Sequence, residues 1–140
     1  MNAPAAEPTG APPPAPAPSI LVADDEPNIV LSLEFVLQEE GYRVRVARDG
    51  QEALQAIAAE KPDLLLLDVM LPRVSGFEVC ERIRANPDWR DLRVVMVSAK
   101  GREVEVRKGL ALGADSYITK PFAIKELLAE VARQLGRAAA

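Results

Sequence analysis

Five side chains in this sequence have the types and the neighbours to act together: Asp24, Asp25, Asp68, Ser98 and Lys120. Each follows a short apolar or β-branched run: Ile20-Leu21-Val22-Ala23 before the aspartate pair, Leu64 to Leu67 before Asp68, Val94 to Val97 before Ser98, and Ser116 to Thr119 before Lys120. Carboxylates brought close together repel and raise one another's pKa unless a cation joins them. A hard divalent ion meets that need. Mg²⁺ prefers oxygen ligands and keeps several of its waters, so a few acidic oxygens and a carbonyl suffice. A lysine and a hydroxyl beside it suit the free oxygens of a phosphoryl group. Taken singly, each residue reads as a helix cap or a surface group. Together, at the ends of successive strands, they read as one site.

The elements that must position these groups follow from periodicity. Leu64 to Leu67 is a continuous apolar run between turn signals, which reads as a strand buried on both faces of a parallel sheet. It ends on Asp68, and an unpaired carboxylate is costly to bury, so packing alone does not place it there. Pro72 closes the following loop and Gly76 opens the next helix. In open α/β sheets, ligands bind beyond the carboxyl ends of the strands.

From Ser19 the pattern is strand then helix throughout. Pro27 suits the first turn of a helix whose stripe is Ile29, Leu33, Val36 and Leu37, with Gly41 as its stop. Tyr42 to Ala47 alternates as a strand. Asp49 can cap a helix carrying Leu54, Ile57 and Ala58, which ends before Pro62. Phe77, Cys80 and Ile83 share a face of the helix from about Gly76 to Arg84, and Asn86-Pro87-Asp88 breaks the chain. Two more helices are expected, from about Arg102 to Leu112 and from Ala123 to Leu135. Such alternation with short loops implies a parallel sheet with helices on both faces and right-handed crossovers.

Composition bounds the rest. The 140 residues are 49% hydrophobic and 27% charged, enough for one domain with a real core. A formal charge of −4 does not favour direct nucleic-acid binding. No apolar run reaches membrane-spanning length, and no basic-then-apolar leader opens the chain, so a cytoplasmic protein is expected. The one cysteine, Cys80, excludes an intrachain disulfide and reads as a small buried apolar residue. Residues 1–18 hold seven of the twelve prolines and a single charge, Glu7, so they are expected to form an extended tail without a core. Pro13 and Pro16 give a P-x-x-P spacing there, a weak signal in so proline-rich a tract. The expected division is therefore a tail over 1–18, a domain over 19–137, and a short C-terminal tail over 138–140.

The ordered motifs Asp24-Asp25, Asp68-Val69-Met70-Leu71-Pro72 with Gly76, Ser98-Ala99, and Gly113-Ala114-Asp115-Ser116-Tyr117-Ile118-Thr119-Lys120-Pro121-Phe122 resemble those of the receiver domain of two-component response regulators, from about Ser19 to Gly136. The resemblance implies a flavodoxin-like (βα)5 fold, a doubly wound five-stranded parallel sheet in the order 2-1-3-4-5. It implies that Asp68 accepts a phosphoryl group from a histidine kinase or a histidine phosphotransfer protein. Asp25, Asp68 and the Met70 backbone carbonyl would hold Mg²⁺, with Asp24 acting through a coordinated water. Lys120 and Ser98 would hold the phosphoryl oxygens, Pro121 would follow a cis peptide, and Tyr117 would turn inward as Ser98 moves. Ser98 stands where many relatives carry threonine, which keeps the hydroxyl.

Other readings differ in what the site does. A Mg²⁺-dependent phosphatase with an aspartate nucleophile needs a second aspartate two residues on, and that position is Met70. A docking module that no longer accepts phosphate would not need the complete acidic set. The chain is therefore expected to be a switch and not an enzyme. Nothing after Leu135 reads as an output domain, so the expectation is a stand-alone receiver. It would act on a downstream protein by direct contact or pass phosphate on as a relay intermediate, as a monomer or a phosphorylation-dependent dimer.

Overall fold

The computed structural model describes residues 17–99 and 101–136. The proline-rich segment up to residue 16 and the last four residues lie outside it, so the P-x-x-P spacing and the C-terminal tail do too.

Five strands alternate with helices: β1 (Ser19–Ala23), α1 (Pro27–Glu39), β2 (Arg43–Ala47), α2 (Gly50–Ala59), β3 (Leu64–Asp68), α3 (Gly76–Ala85), β4 (Arg93–Ala99), α4 (Glu103–Ala111), β5 (Ser116–Lys120) and α5 (Ile124–Gln134), with a single 3-10 turn at Pro87–Trp89. The strands form one parallel sheet in the order β2-β1-β3-β4-β5, as expected. β3 stands at the middle of that order, and all five of its residues are buried. Each fully buried leucine contributes about 1.5–3 kcal/mol relative to leaving it exposed.

Side chains alternate along the strands between two cores. Leu21, Leu65, Leu67 and Met96 pack with Ala53 and Ile57 of α2 and with Val79, Cys80 and Ile83 of α3. Ile20, Val22, Leu64, Leu66 and Val95 pack with Leu33 and Leu37 of α1 and Leu127 and Val131 of α5. Cys80 is fully buried, as its composition-based reading required.

Local signals account for the helix ends. Pro27 opens α1, and Gly41 follows it with φ of 91°, a conformation glycine reaches without Cβ strain. Asp49 caps α2 by accepting from the Glu52 amide at 2.8 Å, and Ser75 caps α3 through the Glu78 amide.

Two expectations change. On α2 the buried line is Gly50, Ala53 and Ile57, while Ala58 is exposed. Leu54 and Ile57 do face the core, and a Cβ on Gly50 would lie 1.8 Å from the Val74 carbonyl oxygen, so this helix start sits against the loop after β3. β4 runs through Ser98 to Ala99, because Ser98 pairs with Thr119 and Ala99 with Lys120 across β5. Ala17 and Pro18 are half-buried, and their carbonyls accept from the Arg43 side chain at 3.1 Å and its amide at 2.9 Å, which ties them to the edge strand β2.

Candidate functional site

Parallel pairing brings the strand ends to one edge of the sheet. Ala23 lies opposite Leu67, so Asp24 and Asp68 emerge as neighbours. β4 and β5 continue on the far side, placing Ser98 and Lys120 at the same edge. Gly76 makes room for this: a Cβ there would meet the Asp68 carbonyl oxygen at 2.4 Å. The start of α3 can therefore sit directly on the backbone of the central aspartate, held by a bond from the Gly76 amide to the Val69 carbonyl.

Carboxylate oxygens of Asp24, Asp25 and Asp68 lie within 4.8 Å of one another. Asp24 is only 2% exposed; its Oδ1 accepts from the Glu26 amide at 2.9 Å and its Oδ2 from Lys120 Nζ at 3.0 Å. Asp68, 7% exposed, accepts from the Met70 amide at 3.1 Å on Oδ1 and from Lys120 Nζ at 3.5 Å on Oδ2. Asp25 is exposed and faces solvent at the mouth of the cluster. The Lys120–Pro121 peptide is cis, as the resemblance implied.

The electrostatics follow from this arrangement. Burial pushes the Asp68 carboxyl above its ordinary pKa; the Met70 amide works against the shift, the charge of Asp24 adds to it, and Lys120 opposes it. Burial works to lower the Lys120 pKa, but the hydrogen bond to Asp24 and the charges of Asp68 and Asp24 outweigh it and hold the ammonium above its ordinary value. One ammonium against three clustered carboxylates leaves net negative charge, and every unshared donor atom is an oxygen. That donor set fits a hard divalent cation such as Mg²⁺, and the solvent-facing Asp25 leaves room for its waters. Asp25, Asp68 and the Met70 carbonyl could hold the ion, with Asp24 beside it.

Ser98 is 2% exposed at the same edge, but its hydroxyl is turned toward α4, 3.4 Å from Glu105 Oε1 and 3.5 Å from the Ala99 carbonyl. Tyr117 points out of β5 and is 46% exposed. It lines an open groove with Ala99, Arg102, Val106 and Leu110. The acidic cluster and Lys120 therefore converge, whereas Ser98 and Tyr117 belong to a neighbouring arrangement facing α4. Sequence reading missed Glu105. Its only signal was an acidic residue in the first turn of a helix, a common capping feature.

Comparison with known proteins fits this geometry. The family model described as the response regulator receiver domain matches residues 20–132. A Chloroflexus aurantiacus protein described as a response regulator is 38% identical, with a TM-score of 0.83 over 86% of this chain and 99% of that one. The signal receiver domain of a signal transduction histidine kinase from Syntrophus aciditrophicus is 32% identical, with a TM-score of 0.80 over 86% and 91%. The Vibrio cholerae chemotaxis protein CheY4 is 29% identical, with a TM-score of 0.78 over 84% and 98%. With its acidic edge, its lysine after the last strand and its 2-1-3-4-5 sheet, this chain belongs to the response regulator receiver domain family.

Proposed function

We propose that Asp68 takes a phosphoryl group from a phosphohistidine of a kinase or phosphotransfer protein, and that the resulting acyl phosphate changes the chain's affinity for a downstream protein. The observation that carries this reading is the carboxylate of Asp68 at the end of the central strand, with Lys120 3.5 Å from one oxygen and two further carboxylates beside it. An Asp68 oxygen attacks phosphorus in line, the P–N bond to imidazole breaks, and the freed imidazole keeps its electron pair. Asp25, Asp68 and the Met70 carbonyl would hold Mg²⁺, with Asp24 acting through a water, and the bound ion would supply charge neutralisation on the phosphoryl oxygens. Lys120 is already within reach of Asp68, so it pairs with those oxygens with little reorganisation. Ser98 donates to another of them, and Tyr117 moves inward from its exposed position.

The chain is consumed and restored as an acceptor; it is not a turnover enzyme. The side chain two residues beyond Asp68 is the thioether of Met70, which cannot serve as a general acid. No described helix is long and apolar enough to cross a membrane, and we place the chain in the cytoplasm with its phosphodonor. Incubation with acetyl phosphate and Mg²⁺ should add the mass of one phosphoryl group, and Asp68→Asn should abolish the addition. Labelling of that variant to the same extent would reject the reading.

A further inference from the structure

Ser98 has a buried hydroxyl without a good hydrogen bond. Its contacts to Glu105 Oε1 and to the Ala99 carbonyl are 3.4 Å and 3.5 Å, against about 2.7–2.8 Å for an ordinary O–H···O bond. Of the two acceptors, Glu105 carries the charge and therefore the stronger pull. Glu105 stands in the first turn of α4, and its second oxygen accepts from Arg102 at 3.1 Å. Its side chain is 19% exposed, so the carboxylate lies over the end of β4 and is not free in solvent.

We infer that Glu105 is a positioning residue that holds the Ser98 hydroxyl, and with it the first turn of α4, away from Asp68 until a phosphoryl group competes for the same proton. This deepens the phosphoacceptor reading and rests on it. A serine hydroxyl has one hydrogen to donate. It donates to Glu105 or to a phosphoryl oxygen on Asp68, not to both, so the two contacts exclude each other. Contacts made in only one of two states bias the equilibrium between them. The long Ser98–Glu105 distance makes the resting contact weak enough to lose. On release, Glu105 keeps Arg102 and reaches water, so its charge is not stranded. The tie between β4 and the first turn of α4 is gone, beside the groove that Tyr117 lines.

The test uses beryllofluoride as the phosphoryl substitute, titrated in the presence of Mg²⁺ and followed by the amide resonances of Ser98 and Tyr117. Glu105→Ala should tighten binding roughly two- to fivefold, the size of one modest hydrogen bond. Glu105→Gln, which keeps the shape and a weaker acceptor, should fall between wild type and alanine, and it serves if the alanine variant folds poorly. In a Ser98→Ala background the Glu105→Ala gain should vanish. Unchanged or weaker binding by both Glu105 variants would overturn the inference, as would a gain that persists without the Ser98 hydroxyl. Failure of the wild-type chain to bind beryllofluoride would overturn the phosphoacceptor reading along with it. Binding by wild type with no Glu105 effect would overturn this inference alone.

Discussion

At neutral pH the ionised form of Asp68 works against folding. Burial raises its pKa in the native state, so the native state holds this proton more tightly than the unfolded chain does. The contribution to stability is complete below the ordinary carboxylate range. It is lost as pH rises through the folded-state pKa. Without divalent cations, Asp68→Asn should therefore raise the melting temperature at neutral pH by a few degrees. It should also remove part of the loss of stability above about pH 4, the ordinary range of a carboxylate. Thermal melts across pH with a chelator present check this, and a lower melting temperature for the variant would contradict it. Added Mg²⁺ should narrow the gap, because an ion bound only to the folded wild type stabilises it by mass action. Asp24, Asp25, Asp68 and Lys120 could be grouped from the sequence because each stands at or just beyond the end of a short apolar or β-branched run. Glu105 was not, because its meaning comes from Ser98, on a different element.

The elements are held in place partly by an arginine that no local pattern announces. Arg84, on the last turn of α3, donates to the carbonyls of Gly113 and Leu92 at 2.8 Å each and to Arg90 at 3.1 Å, and it pairs with Asp115 at 2.8 Å. Asp115 in turn accepts from the Val94 amide at 2.7 Å. One side chain thus joins α3, the start of β4 and the turn before β5. Arg84→Met would leave these carbonyls without this donor and the Asp115 carboxylate with only its longer pair to Arg93, at 3.5 Å. A half-buried network of this kind should cost about 2–4 kcal/mol in denaturant unfolding. Phosphorylation of the folded fraction should persist, since no atom of the acidic site is touched. A change under 0.5 kcal/mol, roughly that of an ordinary surface substitution, would show the network to be dispensable. The sequence placed every strand and helix to within a residue or two because apolar period and caps are local. On α2 it read Leu54 and Ile57 as core-facing, which they are, but it added the exposed Ala58 and missed Gly50, whose close approach to Val74 involves a loop more than twenty residues on. It ended β4 early because the pairing of Ser98 and Ala99 depends on β5.

At the scale of the molecule, a two-faced core carries a site along one edge of its sheet, and the N-terminal approach is anchored at the opposite end. Arg43 binds the carbonyls of Ala17 and Pro18, which ties these two residues to the edge strand β2. Removing residues 1–16 should leave the melting temperature within about 1–2 °C and acetyl-phosphate labelling unchanged, because a segment of that composition brings no core. Removing residues 1–18 should lower the melting temperature further, since the Arg43 amide and guanidinium lose both partners. Equal effects of the two deletions would show the bonds from Arg43 to Ala17 and Pro18 to be dispensable. Under the proposed function a single carboxylate, Asp68, becomes an acyl phosphate. Borohydride reduces an aspartyl phosphate to homoserine, and peptide mass spectrometry then locates the converted residue. After treatment with acetyl phosphate, conversion should occur at residue 68 alone and should require Mg²⁺. Homoserine at position 24 or 25, or a phosphoryl label that resists borohydride, would contradict the assignment.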